Sequence, residues 1–234
     1  MPNKYILLWL EAPLQAWGYD SKFWVRESCE FPTKSGIEGL LLCALGASGP
    51  QEELLKRLAS LKQTVVSYVS EDSKKRNGLP LTDFHMVGSG YNEKDEWEKL
   101  LIPKTIEGKS AVGGGSKLTY RKYLQNAKFA VIVEIPADLT ARFSEALHNP
   151  VFDIYLGRKN CAPTDFIFRG VFDDENEAVL SATGIAVGKK LIENFTVVDG
   201  RDENKGAVLN LNDVPLQFGP DKVYRDRFVT IIRK

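Results

Sequence analysis

The chain has 234 residues, 43% hydrophobic and 26% charged, with 31 basic and 31 acidic side chains. Such a chain can bury a substantial core, as one large domain or two small ones. Its formal net charge of zero excludes coating nucleic acid by bulk charge, but not binding through a local basic groove. Three widely separated cysteines, Cys29, Cys43 and Cys161, include no CxxC pair, so buried thiols are expected rather than bridges or zinc ligands. No stretch has the apolar length of a membrane helix, and the apolar run at 5–10 lacks a basic flank and a small-residue cleavage site. A soluble, cytoplasmic protein is expected.

Residues 5–10 (YILLWL) are a continuous, β-prone apolar run ending at Glu11-Ala12-Pro13, which predicts a central strand covered on both faces. Residues 13–32 form a long aromatic loop with Trp17, Tyr19, Phe23 and Trp24, and with Gln15, Lys22 and Arg26 between them. Loops of this length carry function, and these rings could stack on bases or fold back on the core. Residues 31–46 (FPTKSGIEGLLLCALG) place Ile37, Leu40, Leu41, Ala44 and Leu45 on one helical stripe. Thr33 or Ser35 can cap the free N–H groups, and Lys34 adds a cation there, which is an anion-ready helix tip. The alternative is a capped core helix that binds nothing. A second helix is predicted over 51–61, with Leu54, Leu55, Leu58 and Leu61 on one side, and a strand over 63–70. Strand, helix pair and strand make half of a split βαβ unit.

Residues 71–125 lack helical periodicity. They hold Lys74-Lys75-Arg76-Asn77-Gly78, a possible strand at 81–87, an acidic patch at 93–98 and the flexible tract Gly113-Gly114-Gly115-Ser116. Residues 117–128 (KLTYRKYLQNAK) carry four cations, two tyrosines and no acid. The reading is a projecting hairpin-like insertion whose return strand offers cations to phosphates and tyrosine faces, including Tyr123, to bases. The alternative is a solvated edge strand that uses cations against aggregation.

Residues 129–135 (FAVIVEI) predict a strand stopped by Pro136, and 138–148 a helix with Leu139, Phe143, Ala146 and Leu147 inward. This second half completes an α+β, ferredoxin-like (RRM-related) core with an insertion between its halves. In Tyr155-Leu156-Gly157-Arg158-Lys159 a glycine turn with adjacent cations lets backbone approach a phosphate. From residue 166 onward short strand-like runs (FIFRGVF, NFTVV, AVLNL) are separated by DDENE and DGR, and an alternating β segment at 224–232 closes the chain.

His85 and His148 form no ligand pair, so neither a metal nor a cofactor is expected. The run at 184–190 (GIAVGKK) is one residue short of a phosphate loop and lacks its Ser or Thr, and is discounted. His85, in Thr82-Asp83-Phe84-His85, could act as a general acid or base beside a tyrosine or lysine, as in metal-free RNA cleavage; a structural or RNA-contacting histidine is the alternative.

Five collinear segments, PLQAWG (13–18), FPTKSGIEGLL (31–41), DFH (83–85), YRKYLQNAKFAV (120–131) and YLGRKNCAP (155–163), resemble the CasD-type subunits of type I-E CRISPR Cascade complexes. Those subunits belong to the repeat-associated mysterious protein (RAMP) superfamily. The resemblance reaches about Phe168; beyond it only length and strand-rich character agree. It implies one RAMP-like domain over 1–234, with 71–125 as a thumb β-hairpin and a strand-rich C-terminal part. The GGGS tract departs from the shorter connection expected there. The implied role is non-catalytic: capping the 5′ handle of the crRNA in antiviral defence. Implied neighbours are the backbone subunit and the large, PAM-reading subunit, with target DNA reached through the assembled complex and no membrane partner. The resemblance implies handle phosphates at Lys34, Ser35, Gly157, Arg158 and Lys159, and splayed handle nucleotides at Arg121 and Tyr155. Gln15, Trp17, Arg26 and Tyr123 complete the expected RNA-binding set. Two rivals remain: a metal-independent endoribonuclease of the same superfamily that processes CRISPR repeat RNA through His85, and a protein-only adaptor using the aromatic loop.

Overall fold

The computed structural model describes residues 2–21, 24–71, 80–87, 94–100, 104–109 and 117–234. Lys22, Phe23, the basic turn at 74–78, Glu93 of the acidic patch and the glycine tract at 113–116 lie outside the described residues.

Strand β1 (Lys4–Glu11) is the predicted apolar run, and Ile6 to Leu10 are completely buried. Alternate side chains of a strand point to opposite faces, so a strand apolar at every position needs a layer on each side. The aromatic loop follows as four two-residue strands, β2 (Leu14–Gln15), β3 (Trp17–Gly18), β4 (Val25–Arg26) and β5 (Ser28–Cys29). Helix α1 (Lys34–Ala44) is capped by Thr33, whose hydroxyl accepts from the Gly36 N–H at 3.3 Å, and buries Ile37, Leu40, Leu41 and Ala44. Helix α2 (Glu52–Leu58) and strand β6 (Gln63–Val69) close the first half.

Strand β7 (Leu81–Val87), the short helix α3 (Glu96–Leu100) and strand β8 (Lys117–Gln125) come next. β7 and β8 pair antiparallel, with Asp83 opposite Arg121 and His85 opposite Thr119. On its other side β8 pairs with β2 and, in parallel, with β4, where Arg26 faces Arg121. The return strand is therefore not the solvated edge of the alternative reading. Strand β9 (Lys128–Ile135), helix α4 (Ala137–His148) and strand β10 (Phe168–Phe172) supply the second half. In the sheet, β10-β1-β9-β6 are neighbours and each pair is antiparallel. That is two interleaved split βαβ units, the expected ferredoxin-like arrangement.

After β10 the structure departs from the sequence reading, which took DDENE as a separator between strands. A helix, α5 (Glu175–Gly188), starts there. Asp174 caps it by accepting from the Glu177 N–H at 3.0 Å, and Ala178, Ala182 and Ala186 make a buried stripe. The stripe packs on Leu7, Trp9, Val66, Tyr68, Ala130 and Ile132. Ile6, Leu8 and Leu10 join the larger core with α1 and α4. Leu180 and Val187 remain exposed on α5, so its outer face is apolar too and no amphipathic contrast marked the helix. The discounted run at 184–190 is the end of this helix and the turn after it. Strands β11 (Ile192–Asp199), β12 (Ala207–Gln217) and β13 (Val223–Arg233) then extend the sheet from β6 in the order β11-β13-β12, giving seven strands. Among the described residues no helix is long and apolar enough to cross a membrane.

Candidate nucleic-acid interface

A cleft of about 520 Å³ opens between the β7–β8 hairpin and the turn at 155–160. Because strand side chains alternate, Asp83, His85, Arg121 and Tyr123 share the face toward it. Phe84, Met86, Leu118 and Tyr120 occupy the outer face and are exposed. Tyr155, Gly157, Arg158, Lys159 and Asn160 form the opposite wall.

The turn closes through Leu156 N–H to Cys161 O and Cys161 N–H to Arg158 O, both 2.8 Å, and docks through Ala16 N–H to Leu156 O at 3.1 Å. Gly157 has φ +93, and a Cβ there would stand 1.6 Å from the Ala16 carbonyl oxygen. Only glycine permits this approach. The segment holding Ala16 is itself fixed from below. Gln15 is fully buried; its amide donates to Leu10 O at 3.2 Å and Ala127 O at 2.8 Å, and its carbonyl accepts from the Trp17 indole at 3.2 Å. Trp17 is 1% exposed and lies against Gly36 at the start of α1, where an added Cβ would be 2.8 Å from its ring. Gln15 and Trp17, expected to touch RNA, are instead the floor under the turn.

Arg158 donates to Lys122 O and Arg26 O, each at 3.0 Å, and lies 4.6 Å over the Tyr123 ring. Asn160 donates to the Tyr123 hydroxyl at 3.1 Å. Tyr123 is 2% exposed, so its expected role as a stacking face is corrected: the ring seats Arg158. Arg158 thereby joins β4, β8 and the turn. Arg26 is exposed beside the cleft. Arg121, Tyr155 and Lys159 make no hydrogen bond or ion pair with a described side chain, and their donors remain unspent at the cleft.

The helix tip does not join them. Lys34 is 4% exposed; its ammonium donates to Ala59 O at 3.1 Å and Leu61 O at 2.5 Å, with Glu38 at 4.0 Å. The Lys34 N–H donates to the Asp213 carboxylate at 2.7 Å, so the anion that this helix start attracts comes from β12. Asp213 also binds Arg227, which reaches Asp199. The expected phosphate site at Lys34 is thus corrected to an internal ionic cluster that ties α1 to the C-terminal strands. Ser35 is half-buried beside it, 3.5 Å from the Thr33 hydroxyl. Burial pushes the Glu38 carboxyl up to about 8 and the Lys34 ammonium down from its ordinary value. Of the cysteines, Cys29 and Cys161 are buried free thiols and Cys43 is half-buried.

The sequence reading left Asp83 and Asn160 out of the site. The signal for Asp83 was the alternation of the hairpin, which puts it two residues from His85 and opposite Arg121. Asn160 is placed only by the fold of the turn.

A family model described as "CRISPR-associated protein (Cas_Cas5)" matches residues 5–230. The chain belongs to the Cas5 family. The match runs well past Phe168, so the C-terminal sheet extension of this Cas5 protein is part of the family pattern. The "CRISPR system Cascade subunit CasD" of Escherichia coli (strain K12) is 29% identical over 186 residues, which are 76% of this chain and 77% of that protein. A chain of a solved "CRISPR RNA-guided surveillance complex" superposes with a TM-score of 0.72 at 24% identity, covering 98% of this chain and 90% of that one. A structure described as "Crystal structure of Cas protein" gives a TM-score of 0.58 at 22% identity, covering 98% and 94%. The ferredoxin-like RAMP architecture is common to them.

Proposed function

We propose that this Cas5 protein is a non-catalytic, crRNA-binding subunit of a type I-E Cascade that caps the 5′ handle of the crRNA. The carrying observation is the convergence of the cationic return strand and the glycine turn on one cleft, where Arg121, Lys159 and Tyr155 have donors to spare. Such donors bind phosphates and splayed nucleotides of single-stranded RNA. Arg158 and Gly157 shape that wall, Arg26 stands at its rim, and Gln15, Trp17 and Tyr123 support it. The chain acts as one RAMP-like domain with 71–125 as its thumb, in contact with the backbone and large subunits, and meets target DNA only through the assembled complex. It works in the cytoplasm. The test is assembly of the complex with Arg121→Ala and Lys159→Ala combined. Lower crRNA occupancy with a shallower dependence on salt supports the reading; wild-type occupancy refutes it.

One observation favours a second reading, a metal-independent endoribonuclease acting on CRISPR repeat RNA. His85 lines the same cleft as Tyr155 and Lys159. Site-specific cleavage of repeat RNA in EDTA, abolished by His85→Ala, would establish that activity and displace the non-catalytic reading.

A further inference from the structure

We propose that the cleft reads a guanine through Asp83, an inference that rests on the RNA-binding reading above. Asp83 is a half-buried carboxylate in a cleft that also holds Arg121, Arg158 and Lys159. It makes no hydrogen bond or ion pair with a described residue, although Arg121 is its cross-strand partner. In a site built only for phosphate such a carboxylate is a defect, because it repels the phosphate that Arg121 attracts. The contradiction disappears if the two walls do different work. The turn wall, with Lys159, takes the phosphate, while the hairpin wall, with Asp83, takes a base edge.

A carboxylate offers two acceptor oxygens and no donor. Among the four RNA bases, guanine alone presents two adjacent donors, N1–H and N2–H, that match both oxygens at once. Cytosine and adenine offer one amino group beside a ring-nitrogen acceptor, and the single N3–H of uracil is flanked by two carbonyls. Guanine also carries acceptors at O6 and N7, which the free guanidinium of Arg121 can serve. His85, next along the same face, also lines the cleft. A base read this way must be splayed out of its stack, as single-stranded RNA permits.

The test measures binding of the full-length chain to short single-stranded RNAs that differ at one position: guanine, adenine, cytosine, uracil or inosine. The expected result is about tenfold tighter binding of the guanine RNA than of the inosine RNA, which lacks only the N2 amino group. Asp83→Asn should abolish that preference while leaving the other RNAs within about twofold. No guanine preference in the wild type, or an equal effect of Asp83→Asn on every RNA, overturns the guanine reading. Arg121→Ala separates the two claims. If it weakens every RNA while Asp83→Asn changes none, the cleft binds RNA without reading guanine. If it changes none, the cleft itself is misassigned and both claims fall.

Discussion

Gly157→Ala puts the docking of the turn to a direct test. The added Cβ meets two independent obstacles. The backbone at φ +93 is left-handed territory, which costs an L side chain about 1–2 kcal/mol. The Cβ position 1.6 Å from Ala16 O cannot be held at all, so the turn must lift. Lifting it breaks the bond from Ala16 N–H to Leu156 O, worth about 1 kcal/mol, and loosens Leu156, which is fully buried. The sum is about 3 kcal/mol, or a melting temperature lower by about 6–12 °C for a chain of this size. The same movement carries Tyr155, Arg158 and Lys159 away from Arg121. RNA affinity of the folded fraction should therefore fall at least about tenfold, the equivalent of one charge-assisted hydrogen bond. Thermal unfolding and fluorescence anisotropy with a labelled single-stranded RNA measure the two effects. Gly18→Ala is the control, because its Cβ would meet nothing within 4 Å. A Gly157→Ala protein with unchanged melting temperature and affinity would refute the docking argument.

Lys34→Met should lower stability by about 3 kcal/mol, because it removes the ammonium donor from Leu61 O and takes away the cation beside the buried Glu38; chemical denaturation reads this, and RNA affinity per folded molecule should not move. A loss of affinity with stability intact would restore Lys34 as an RNA contact. Glu38 gives a pH signature. Its folded carboxyl titrates near 8 because burial disfavours the anion, so its contribution is complete below the ordinary carboxylate range and is lost as pH rises toward and through about 8. Glu38→Gln should flatten the stability-versus-pH profile in that window, and parallel profiles for the two proteins would contradict the assignment. Asp174→Ala removes the cap of α5 and should cost about 1 kcal/mol, seen as a drop of about 2–4 °C in melting temperature.

How much was legible follows from where each signal resides. The run at 5–10, the stripe of α1 and the inward positions of α4 are local patterns, and burial followed them. The two strand–helix halves in order sufficed to reach the ferredoxin-like core. Helix α5 was missed because its buried face is a narrow stripe of alanines and its outer face is apolar as well; only the cap Asp174, three residues before Glu177, marked it. Lys34 was misread for a different reason. A helix start does attract an anion, but the anion is the carboxylate of Asp213, 179 residues away.

By itself, then, the sequence determined the elements and the chemistry available: which segments bury a face, where glycine frees the backbone, and which strand carries cations without acids. Only the tertiary structure decided which of those groups are free to bind. Lys34, Gln15, Trp17 and Tyr123 look on paper as able to bind RNA as Arg121 and Lys159 do, and the fold spends them internally. The physical reason is that a polar group's availability depends on whether a partner across the fold has already satisfied it, and that partner is set by long-range packing which no local pattern records.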